Sequence, residues 1–76
     1  MTFSQWMRRQ RHNRFRGIPL PVVDFVTDAL TDINAPVSGT LSTWEQHLAD
    51  HGACDNAVGA MRKAWAMFEA QRGTTN

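Results

Sequence analysis

The stretch from Ala53 to Arg72, ACDNAVGAMRKAWAMFEAQR, constrains this chain more than any other. At about 100° per residue, Cys54, Ala57, Val58, Met61, Ala64, Trp65 and Phe68 fall on one stripe. Gly59, Lys63, Ala66 and Ala70 fall on the far side. Gly73 follows where a helix stops in a left-handed conformation. The pattern predicts one long amphipathic helix whose apolar stripe the rest of the chain has to cover. Within that stripe, Trp65 is expected at the centre of the core and Cys54 as a buried, unreactive thiol.

The segments that do the covering are also readable. Thr2 followed by Gln5 is a capping-box pattern. It opens a short helix that points Phe3, Trp6 and Met7 inward and turns Arg8 and Arg9 away. Arg11 to Pro21, RHNRFRGIPLP, reads as a connection, because Gly17, Pro19 and Pro21 interrupt regular structure. Phe15, Ile18 and Leu20 are expected to tuck beneath it. Pro21 suits the first turn of a second helix, with Val22, Val23, Val26, Ala29, Leu30 and Ile33 as its apolar stripe. Asp24, Asp28 and Asp32 recur every four residues on its other face, a helix period rather than a strand period. After the turn-rich NAPVSGT, Ser42 with Glu45 reads as a second capping box. It opens a third helix that carries Trp44, Leu48 and one of His47 or His51 toward the core and ends at Gly52. The fold class is therefore all-α, with four helices of which the last is longest. Residues 1–73 are read as one domain and 74–76 as a fraying tail.

A chain of 76 residues buries only roughly 60% of its unfolded surface. Three Trp, four Phe and four Met supply one core and leave no room for a separate catalytic domain. The single cysteine forbids an internal disulfide and fits a reducing compartment. No apolar run approaches the roughly 18 residues of a membrane span, so a cytoplasmic location without membrane contact is expected. Net charge is only +1, yet residues 1–16 hold five arginines and no acid, while the remaining sixty hold three basic and seven acidic residues. That asymmetry carries more functional information than the total.

Three stretches resemble the YozE family of small bacterial proteins, whose fold is like the sterile alpha motif. Phe3-Ser4-Gln5-Trp6 is similar to its aromatic first helix. Ala53-Cys54-Asp55-Asn56-Ala57 is similar to its Ala-Cys-Asp-Gly-Ala segment, and Ala64-Trp65 with Phe68 to the Ala-Trp and following aromatic of its last helix. The chain departs from the family in having RHNRFRGIP where an Asp-rich connection is usual, and Asn56 where Gly is common. The resemblance covers roughly residues 2 to 70. It implies a compact four- to five-helix bundle like the sterile alpha motif, a bacterial or phage origin, and a binding role with no defined target.

Few residues point to chemistry. His47, His51 and Cys54 are the only metal-like cluster, but a structural zinc needs four protein ligands, so no metal or other cofactor is expected. A thiol on a packed stripe makes a poor nucleophile, no Gly-rich phosphate loop is present, and no catalytic residue is assigned. Trp6, Trp44 and Trp65 occupy helix core positions rather than forming a stacking platform for bases. The functional signal is the basic segment Arg8, Arg9, Arg11, Arg14 and Arg16, with His12 and Phe15 interleaved. Two partners fit it. One is nucleic acid, held without sequence specificity through its phosphates. The other is a protein, or a second copy of this chain, whose acidic helix face (here Asp24, Asp28 and Asp32) meets the arginines.

Overall fold

The computed structural model describes residues 2–32, 35–36 and 39–73. They form four helices: α1 (Phe3–His12), α2 (Leu20–Thr31), α3 (Leu41–Asp50) and α4 (Asp55–Gly73). No described residue lies in a strand, and no helix among them is long and apolar enough to cross a membrane. The tail 74–76 and Ile33 lie outside the described residues.

Helix α1 starts as its sequence dictates. The Thr2 hydroxyl accepts from the Gln5 N–H at 3.1 Å, and the Gln5 side chain accepts from the Thr2 N–H at 2.9 Å. This fixes Phe3, Trp6 and Met7 on one buried face. The helix runs to His12, so Arg11 and His12 belong to it and not to a connection. Helix α2 uses Pro19 as its N-cap and Pro21 in its first turn, where a missing N–H costs nothing. It buries Val22, Phe25 and Val26; the stripe of Val22, Val23, Val26, Ala29, Leu30 and Ile33 overlooks Phe25.

Helix α3 begins two residues earlier than Ser42 and Glu45 suggest. Its capping box joins Thr40 and Thr43 instead. Gly39, just before the cap, has φ of 150°, and a Cβ there would lie 2.9 Å from the Thr43 Cβ. At its other end α3 closes with a Schellman motif. The Gly52 N–H bonds the Ala49 carbonyl at 3.1 Å, and the Ala53 N–H bonds the Leu48 carbonyl at 2.9 Å. Gly52 supplies the left-handed residue the motif requires, with φ of 67°.

Helix α4 packs against each of the other three. Its buried centre is Ala60, Met61, Ala64 and Phe68. Trp65 is only half-buried, at the margin of the stripe rather than its middle. Cys54 is exposed, contrary to the stripe. It precedes the helix, its carbonyl accepting the bond from the Val58 N–H at 3.1 Å, so its side chain does not follow the helical period.

The core is organised around Phe3, which meets an aromatic ring from every helix. Its ring centroid lies 5.8 Å from Trp6, 6.4 Å from Phe25, 5.4 Å from Trp44, 4.9 Å from Trp65 and 5.5 Å from Phe68. Beside this cluster the fully buried Trp6 donates its indole N–H to Gln71 at 2.8 Å. The first and last helices are thereby tied together and a buried donor is satisfied.

Candidate nucleic-acid interface

All five arginines of the basic segment are exposed. Arg8, Arg9 and Arg11 extend from α1. Arg9, Arg11 and His12 occupy its last turn, where positive charge complements the helix dipole by about 0.3–1 kcal/mol each. Part of this charge therefore already serves the helix.

Beyond His12 the chain does not project as an arm. It closes a second Schellman motif: the Arg14 N–H bonds the Arg11 carbonyl at 3.0 Å, and the Phe15 N–H bonds the Gln10 carbonyl at 2.8 Å. The Ile18 N–H then bonds the Phe15 carbonyl at 3.0 Å. No glycine stands where this motif needs one. Arg14 and Phe15 take the left-handed conformation instead, with φ of 60° and 55°, and Gly17 follows at 76°. Phe15 and Ile18 are half-buried against the core, which anchors the turn. Leu20, expected beneath it, is 71% exposed as the first residue of α2. Arg14 and Arg16, together with Gln10, His12 and Asn13, line an open depression of about 580 Å³. The basic surface is thus a helix end joined to a turn whose backbone is pinned.

The acidic residues divide. Asp24 and Asp28 are exposed and make no ion pair among the described residues. Asp32 caps the C-terminus of α2 and is bonded to the His47 Nε2 at 2.9 Å. His47 also stands edge-on to Trp44, ring centroids 5.9 Å apart. His51 bonds the carbonyl of His47 in its own helix at 2.8 Å. The two histidines therefore have structural partners, and no group of three or more metal-ligating side chains forms among the described residues. Of the basic segment, Arg8 lines a cleft of about 220 Å³ together with Asp32. None of the five arginines forms an ion pair among the described residues. The ion pairs seen, Arg62 to Glu45 at 2.6 Å and Arg72 to Glu69 at 2.7 Å, use other cations.

One feature was not legible from charge alone. Asp24, Asp28 and Asp32 do not stand on a plain solvated ridge. They edge a groove of about 350 Å³ whose floor includes Phe25, Trp44 and Ala60. Phe25 and the closeness of α3 are what sequence periodicity lacked.

Comparisons with family models, curated proteins and solved structures return no match.

Proposed function

We propose that this domain is a non-catalytic binding module that holds nucleic-acid phosphates on the surface formed by Arg8, Arg9, Arg11, Arg14 and Arg16. The observation that carries the proposal is their common state: all five are exposed, and none is neutralised by an acid among the described residues. Guanidinium groups suit this role because their planar forks match phosphate oxygens. Their presentation from a helix end and a pinned turn lowers the ordering cost of binding. Recognition is independent of sequence, since phosphate contacts position a duplex but do not read it. The resemblance to the YozE family supports a binding role and names no target. The free thiol of Cys54 fits a reducing compartment such as the cytoplasm.

The test is a salt titration of binding to a short DNA duplex and to single-stranded RNA. Five phosphate contacts on a duplex give a slope of log affinity against log salt of roughly −4.5. Replacing Arg11, Arg14 and Arg16 together by Ala should make that slope shallower by roughly 2.7 while leaving the thermal transition cooperative. The second reading is association with a protein or another copy through Asp24 and Asp28, favoured by their exposure and lack of a partner. It becomes the better one if the wild type binds neither nucleic acid at about 50 mM salt, where phosphate contacts are weakly screened.

A further inference from the structure

The groove edged by Asp24 and Asp28 goes beyond the nucleic-acid surface, and its make-up differs from everything around it. Its walls come from α2, from α3 and from the start of α4. Phe25, Ala29, Leu48, Ala57 and Ala60 give it an apolar lining, with Trp44 beneath. Its volume of about 350 Å³ is at the small end of binding pockets, which span roughly 300–1,000 Å³. The Schellman motif that ends α3 shapes one wall, since Leu48 and Ala53 both line the groove and are joined by one of its two backbone bonds.

The rim carries charge of one sign. Asp24 and Asp28 line the groove, are exposed, and form no ion pair among the described residues. Asp32, next along, is held by His47. Leu20, Asp24 and Asp28 are four residues apart on α2 and so share one helix face. Leu20, the one large hydrophobic residue that is strongly exposed among the described residues, stands one turn before Asp24 on that ridge, beyond the groove lining. From Leu20 to Asp32 is about 18 Å at roughly 1.5 Å per residue, or three helical turns.

We infer that this groove is a docking site for a cationic amphipathic helix of a partner protein, about three turns long. The apolar face of such a helix lies on Leu20 and the groove lining, and its Lys or Arg side chains reach Asp24 and Asp28. This is the helix-in-groove mode, in which spaced apolar anchors give affinity and flanking charge gives orientation and selectivity. A second copy of this chain fits less well. Its basic residues lie in a pinned turn and on a helix whose apolar face is already buried, so it offers no free amphipathic helix.

The test uses a fluorescein-labelled peptide of about 14 residues, with Leu at helical spacing and Lys elsewhere, and its counterpart with Glu replacing Lys. Binding is followed by fluorescence anisotropy at about 50 mM salt. The Lys peptide should bind wild type at least about tenfold more tightly than the Glu peptide, and Asp24→Lys with Asp28→Lys should weaken it by at least about tenfold. Leu20→Ser, at an exposed site that cannot disturb the core, should weaken it roughly threefold. Arg11, Arg14 and Arg16 changed to Ala should not weaken it, which keeps this site separate from the phosphate surface. The proposal is overturned by equal affinity for the two peptides, or by no binding up to about 1 mM. It is equally overturned if the double Asp variant binds the Lys peptide as wild type does, or if sedimentation shows self-association that the double variant abolishes.

Discussion

Arg14 is the left-handed residue of a Schellman motif in which glycine is usual, with φ of 60°. Replacing it by Gly relieves the clash of Cβ with the following carbonyl, which costs roughly 1–2 kcal/mol for an L-residue. Part of that gain is lost, because Gly adds freedom to the unfolded chain worth about 0.4–1 kcal/mol. Arg14→Gly also removes a charge near the C-terminus of α1, so the proper reference is Arg14→Ala, which removes the same charge. Arg14→Gly should exceed Arg14→Ala in stability by about 0.5–1 kcal/mol. At about 4–8 °C per kcal/mol for a domain this size, its melting temperature should be roughly 2–8 °C higher. The end of α3 provides the mirror experiment. Gly52 holds the same motif position at φ of 67°, and a Cβ there would meet nothing within 4 Å, so Gly52→Ala isolates the backbone effect and should lower the transition by a similar amount. Circular-dichroism melts of the four proteins at one pH and salt concentration decide the matter. If Arg14→Gly melts at or below Arg14→Ala, the turn is not strained at this residue and the reasoning fails.

Phe3→Ala should cost about 3–5 kcal/mol, against a total of about 4–11 kcal/mol at roughly 0.05–0.15 kcal/mol per residue; urea unfolding should show a domain largely unfolded or close to it. Cys54, being exposed, should react completely with a thiol reagent in the native protein, at a rate that does not depend on added denaturant. Thr40→Ala should lower stability by about 0.5–2 kcal/mol through loss of the α3 cap, whereas Ser42→Ala should leave the melting temperature within about 2 °C of wild type.

What the sequence disclosed follows from how local each feature is. The Thr2–Gln5 cap, the proline-led start of α2 and the glycine end of α3 depend on residues within one turn, and each stands where its pattern indicates. Ser42 with Glu45 misled because the rule keys on Ser/Thr followed by Glu/Gln, and a Thr-Thr pair two residues earlier satisfies the same orphan donors. The end of α1 was missed for the opposite reason: Gly17 was the visible helix breaker, and the left-handed position fell to Arg14. Burial within an amphipathic stripe depends on what lies opposite, so Trp65 moved to the margin and Phe25 into the core. Of the candidate site, exposure of the arginines was legible from their charge. The pinned backbone turn that carries Arg14 and Arg16 was not, and neither was the groove beneath the aspartates, which depends on tertiary contacts among three helices.

The aromatic cluster at Phe3 also bears on how the protein is made. Phe3 draws its ring partners from positions 25, 44, 65 and 68, and Trp6 takes its hydrogen-bond partner 65 residues away. While the chain is being synthesised, α1 can pack on α2, but its contacts with Trp65, Phe68 and Gln71 wait for α4. The core as a whole cannot close before then, because the loop that joins α1 to α4 is nearly as long as the domain. The domain should therefore fold in one cooperative step after α4 emerges, with the buried face of α1 waiting longest for full cover. A nascent chain stalled within α4 would expose Phe3, Trp6 and Met7 together, the kind of surface that chaperones bind and proteases clear.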